Sequence, residues 1–248
     1  MLEKCIERIE DSARARVIRR ALIGSGFIAV QLDDLSMGLC ANIRHDAGGS
    51  CAVFSRAGTI AGAHALDILA LSKRTDLISR GLALATVNAL ASRLFTPTIG
   101  DIFDRITVTP GDRIVMVGLI EPVVQMLTGR GCDVAVFEDR KEGLLPLEAP
   151  HTMPERIRSA DIIILTGTTV ANGSVTGILA LPNCARAVMI LGPSTPMIPT
   201  VFTGTGVSFL GGSFIEDPDQ AFTLVMEGGG TRHLQRSGAI RKAYLEVA

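Results

Sequence analysis
The apolar positions of this chain follow two successive rhythms. At its start they recur at Leu2, Cys5, Ile6, Ile9 and Ala13, the spacing of one helical face. Three short apolar pieces follow at residues 17–23, 27–32 and 37–43, separated by Gly24-Ser25-Gly26 and Asp33-Asp34. Glycine and aspartate at those breaks predict tight turns, so the pieces predict antiparallel strands. Residues 61–71 and 77–94, rich in alanine and leucine, predict two helices. The first part of the chain thus reads as an α+β unit.

Pro97 and Gly100 punctuate residues 95–100, and the rhythm changes after them. Strand-like runs at 113–118, 133–138, 162–166, 187–191 and 207–210 alternate with helix candidates at 122–130, 154–160, 173–181 and 196–203. Residues 217–227 and 234–247 close the chain. Strand alternating with helix predicts a doubly wound parallel sheet. Two domains are expected, residues 1–96 and residues 97–248.

Composition excludes several classes of function. Apolar residues make up 47% of the 248, and mean hydropathy is +0.37. No run reaches the roughly 18 apolar residues a membrane helix needs, so the excess belongs to a sheet covered on both faces. The 24 basic and 25 acidic side chains nearly balance, and the chain holds no Trp and one Tyr, Tyr244. Neither a basic field nor stacking platforms for nucleic acid are present. The N-terminus is charged and amphipathic rather than a secretory leader, so a cytoplasmic location is expected. Cys5, Cys40, Cys51, Cys132 and Cys184 have no CxxC spacing, which speaks against a disulfide framework or zinc ribbon.

Two runs carry most of the candidate chemistry. Residues 161–173 (DIIILTGTTVANG) and 189–199 (MILGPSTPMIP) each begin as a buried strand and break into glycine and hydroxyl residues. In a parallel sheet, ligands bind beyond the carboxyl ends of the strands. Thr166, Gly167, Thr168, Thr169 and Asn172 would sit at one such end, and Gly192, Pro193, Ser194 and Thr195 at the next. The competing reading is a pair of ordinary turns, with Asn172 or Ser174 as a helix N-cap.

Gly118 ends the first strand of the second part, where a dinucleotide fold places its first glycine. The text there is GLIEPVV, without the second and third glycines, and Glu121 would repel a phosphate. Glu138 follows Gly118 by 20 residues, the place of the carboxylate that receives a ribose hydroxyl. It can equally be a solvated acid of the charged run 138–142. Asn88 interrupts an alanine-rich helix, where a buried amide needs partners. It serves either to tie two elements together or to reach a cleft. His45, Asp46, His64, Asp67, Asp101, Asp104, His151 and His233 are available metal ligands, but none has an HExxH or finger spacing.

In chain order, GLALATVNAL, GDIFD, VGLIEP, FED, DIIILTGTTVANGS, LGPSTPMIP and DPDQAF…EGGG resemble the family described as putative heavy-metal chelation proteins. That resemblance implies an enolase N-terminal-like domain, a Rossmann-like domain, and a site in the cleft between them. It implies a protein binding a small molecule related to a metal or metallocofactor, with Asn88, Gly118 and Glu138 joining the two polar loops. The alternative is a nucleotide-dependent enzyme using NAD(P) or S-adenosylmethionine. A divalent metal and an adenosine-containing nucleotide both stay open as cofactor, as do catalysis itself and association with a second copy of the chain.

Overall fold
The computed structural model describes residues 1–43, 54–139 and 146–248; His45, Asp46 and Cys51 lie outside them. The chain runs α1 (Leu2–Ala13), β1 (Ile18–Ile23), β2 (Phe27–Leu32), β3 (Met37–Ala41), α2 (Ala65–Leu69), α3 (Leu77–Leu94) and β4 (Thr98–Ile99). It continues through β5 (Arg113–Val117), α4 (Glu121–Gly129), β6 (Asp133–Phe137), α5 (Met153–Ser159), β7 (Ile162–Thr166), α6 (Thr168–Asn172) and α7 (Val175–Leu179). β8 (Ala187–Leu191), α8 (Pro199–Phe202), β9 (Phe209–Ile215), α9 (Pro218–Met226), α10 (Thr231–Arg236) and β10 (Ile240–Glu246) complete it. The fold is mixed α/β. β1, β2 and β3 form an antiparallel sheet of three, and the other strands form a sheet of seven in the order β4-β10-β9-β8-β7-β5-β6.

The larger sheet is parallel from β6 through β5, β7 and β8 to β9, and antiparallel at β10 and β4. Its order departs in both directions from β5: β6 lies on one side and β7 on the other. The loops leaving β5 and β7 therefore diverge, and a crevice opens between them at the carboxyl ends. β7 and β8 are buried at every position, which is why their sequences run apolar without alternation. One face packs Met116, Ile164 and Met189 with Val124 and Leu127 of α4. The other packs Val117, Leu165 and Ile190 with Ile157 of α5, Val170 of α6 and Phe202 of α8.

α1 buries Leu2, Cys5, Ile9 and Ala13, one face at the predicted spacing. α3 is apolar all round because it is enclosed: it packs on β2 and β3 and also touches α1, α2 and α6. Asp76 caps it, its carboxylate accepting from Ser79 N at 2.8 Å. α3 belongs to the same hydrophobic cluster as Val117, Leu165 and Phe202, so apolar packing is continuous from the small sheet to the large one. Arg20 of β1 adds a polar tie, lying 4.1 Å over the Phe222 ring of α9 and pairing with Asp219.

Two elements differ from the sequence expectation. Residues 168–172 form helix α6 directly after β7, where a strand-end loop was expected. Gly167 already has helical angles, and Thr169 Oγ1 donates to Thr166 O at 2.7 Å, which closes the first turn at once. Gly173, at φ 87°, then ends the helix in the left-handed conformation. The second difference is β10, a strand in the closing segment that pairs antiparallel with β9 on one side and β4 on the other.

Candidate functional site
A cavity of about 890 Å³ lies at the carboxyl ends of β5, β6, β7 and β8, with the middle of β9 beside them. Its floor is made by two loops that approach at backbone distance. A Cβ placed on Gly167, after β7, would come within 2.3 Å of Thr195 N and 2.4 Å of Ser194 C, after β8. Only a residue without a side chain lets the loops meet there. At the crevice beside β5, Gly118 has φ +85°, and a Cβ on it would fall 2.1 Å from Thr166 Oγ1. Thr166 in turn shares a hydroxyl–hydroxyl bond of 2.6 Å with Thr168.

The first part of the chain anchors both loops. Ser194, which is 2% exposed, accepts from Ala41 N of β3 at 2.8 Å through its hydroxyl. Arg80 of α3 donates to Ala171 O at the end of α6 and to Ser72 O. Next to Ala41, burial pushes the Cys40 thiol up to about 12, the Ser194 hydrogen bond acting weakly against it. That thiol stays protonated at neutral pH and is no nucleophile. From the same part of the chain Phe27, Ala41, Ile43 and Leu77 form an apolar wall of the cavity.

Of the residues singled out from sequence, Gly118, Glu138, Thr166, Gly167, Thr168, Thr169, Asn172, Gly192, Pro193 and Ser194 all line this cavity. Glu138 is half-buried rather than a solvated acid: Oε2 accepts from Leu119 N at 2.9 Å and Oε1 from Asp139 N at 3.0 Å. It thereby holds the loop after β5 in place. Asn172 Oδ1 accepts from Ser174 N and Ser174 Oγ at 3.0 and 2.8 Å, so it caps the turn toward α7 and lines the cavity as well.

Asn88 is placed elsewhere, which corrects the expectation that it reaches the same cleft. Its Nδ2 donates to Leu39 O at 2.9 Å, and it borders a second cavity of about 300 Å³. The physical reason is the close packing of α3 on β3, which turns that face of the helix toward the strand. Asn88 Oδ1 and Thr195 Oγ1, both bordering the second cavity, are buried without a hydrogen-bond partner among the described residues.

Sequence reasoning missed a further part of the wall. Thr231, Arg232 and Gln235 of α10 line the cavity together with His233, which had stood only as an isolated metal ligand. Their signal was the EGGG run just before them. Ser213 of β9 and Lys242 of β10 also line it. Lys242 Nζ donates to Asp101 at 2.6 Å, so Asp101 is already paired. Burial works to raise the Asp101 carboxyl, but the bonds from Lys242 and Phe103 N prevail and hold it below the usual range.

The donor set does not suit a bare metal ion. Among the described residues, no three His, Cys, Asp or Glu side chains come together as a group that could hold one. His64 sits at the start of α2 and does not line the cavity that Asp101 and His233 line. What the cavity offers is hydroxyls, an amide and backbone groups around an apolar space, a setting for a small polar molecule. Among the described residues, no helix is long and apolar enough to cross a membrane.

Two family models match the chain. One covers residues 101–244 and the other residues 6–91, and both carry the description "Putative heavy-metal chelation". An uncharacterised protein of Methanocaldococcus jannaschii is 25% identical over 186 residues, 73% of this chain and 71% of that protein. Two crystal structures of proteins of unknown function from the first of these families are also similar. One, from Desulfitobacterium hafniense, has a TM-score of 0.80 at 19% identity and spans 99% of this chain and 97% of its own. The other, from Pyrococcus horikoshii, has a TM-score of 0.81 at 18% identity and spans 99% of both.

Proposed function
We propose, from the premise that this chain belongs to the putative heavy-metal chelation family, that it binds a small metal-chelating molecule in the large cavity. The metal would arrive as part of that ligand. One observation carries this reading: ten residues from four separate strand-end segments surround one cavity of about 890 Å³, while no protein donor set among the described residues could hold the ion alone. Chelators bear oxygen and nitrogen atoms that need hydrogen-bonding partners. The Thr166, Thr168 and Thr169 hydroxyls and the Asn172 amide supply them.

The cavity reading extends to the division at residues 96 and 97. The first unit supplies an apolar wall and the second a polar floor, so a ligand held there would touch both. A second reading, a nucleotide-dependent enzyme using NAD(P) or S-adenosylmethionine, is favoured by the place of Glu138 at the end of β6, on the cavity wall. Against it stand the two backbone N–H groups that its carboxylate already accepts.

Thermal-shift titration separates these readings. The panel contains nickel, cobalt and zinc chlorides, the same ions as citrate and histidine complexes, and NAD, S-adenosylmethionine and ATP. The proposal expects the chelator or its complex to raise Tm more than the chloride does. Stabilisation by the chlorides alone, or by the adenosine compounds alone, overturns it.

A further inference from the structure
The wall contributed by α10 differs in charge from the rest of the cavity. Gly228 has φ +82°, and a Cβ on Gly229 would lie 2.7 Å from Leu224 O, so the chain folds tightly back over the end of α9. α10 then packs through its one buried residue, Leu234, which belongs to the cluster of Phe222 and Val225. With that face pinned, Arg232 and His233 are left at the cavity.

Some of the other ionised groups on the wall are already engaged. Lys242 holds Asp101, Arg156 holds Glu148 at 2.6 Å, and Glu138 accepts from two backbone N–H groups. Arg232 forms no hydrogen bond or ion pair with any of the described residues. The acids Glu121, Glu138 and Asp139 stand beside β5 and β6 at one edge of the sheet, while α10 leads into β10 near the other. The cavity is thus polarised across the sheet.

We infer that Arg232, with His233 beside it, is the oxyanion-recognition end of the cavity and orients a ligand by a carboxylate or phosphate group. A guanidinium presents a planar fork of N–H donors that matches either group and keeps its charge at any physiological pH. A ligand so held keeps its anionic end away from Glu121, Glu138 and Asp139. This inference rests on the reading that the cavity binds a small molecule.

Isothermal titration of the full chain with citrate, AMP and adenosine tests it, with Arg232→Gln and Arg232→Lys beside the wild type. AMP or citrate should bind the wild type, and Arg232→Gln should weaken that binding by about ten- to a hundredfold, the range of a charge-assisted hydrogen bond. Arg232→Lys should recover only part of the loss. Binding of citrate without AMP identifies a carboxylate as the group, and AMP without citrate a phosphate. Equal binding of the anions to wild type and Arg232→Gln, at unchanged Tm, overturns the inference. Adenosine binding as tightly as AMP overturns it too while leaving the cavity reading intact. No binding of any probe to the wild type overturns both.

Discussion

The two ends of the large sheet use their polar groups in opposite ways. At the amino ends of β5, β7 and β8 the chain pairs its charges with one another. Buried Asp112 accepts from Thr109 N at 2.8 Å, from Thr109 Oγ1 at 2.9 Å and from Arg186. Asp161 binds Arg113 through the backbone N–H at 2.9 Å and through the guanidinium. At the carboxyl ends of the same strands the chain offers glycine, threonine and serine around an open cavity, with Arg232 unpaired among the described residues. One end closes the structure. The other surrounds an open cavity with polar groups, and this contrast marks the carboxyl ends as the candidate site.

The largest effect is expected where the two floor loops meet. Gly167→Ala would press a methyl group into the Ser194–Thr195 backbone, which cannot yield as a flexible side chain does. A loss of about 3 kcal/mol, the upper part of the usual overpacking range, should appear in urea denaturation. A loss under about 0.5 kcal/mol would mean that the loops are not packed at backbone distance.

Asp112→Ala sharpens the comparison from the opposite end. Removing hydrogen bonds to a charged group should cost about 2 kcal/mol while leaving ligand affinity untouched. Burial works to raise the Asp112 carboxyl, yet the bonds from Arg186 and Thr109 prevail and hold it below the usual range. A lowered value in the folded state means that the contribution is complete above the ordinary carboxylate pKa of about 4. It is lost as pH falls through the lowered value. The stability gap between wild type and Asp112→Ala should therefore narrow on acidification below about pH 4, and a gap that widens there would contradict the assignment.

The strands of the large sheet and both polar loops were legible because buried parallel strands write continuous apolar runs, as in residues 162–166. α6 was not legible. Gly167, Thr168 and Thr169 are poor helix formers, and packing against Ser194 and Thr195, with the Thr169 hydroxyl bonded to Thr166 O, sets that turn. Asn88 announced a buried amide but not its partner, because Leu39 lies 49 residues away on β3. Arg232 was invisible for a similar reason. Its position depends on how residues 228–230 fold back over α9, and no periodicity records that. Ten residues lining the cavity could be read because strand ends point one way in a parallel sheet, whereas the α10 wall arrives from outside that pattern.

The central claim is that the cavity at the carboxyl ends holds the ligand, and filling that cavity tests it most directly. Thr168→Trp places an indole in the space between the floor loops, and Arg113→Gln disturbs only the opposite end of the sheet. The Tm increment given by a saturating concentration of the most effective compound of the panel would be measured for wild type and both variants. The account predicts that Thr168→Trp abolishes the increment and that Arg113→Gln keeps it, whatever either does to the unliganded Tm. An undiminished increment in Thr168→Trp would contradict it.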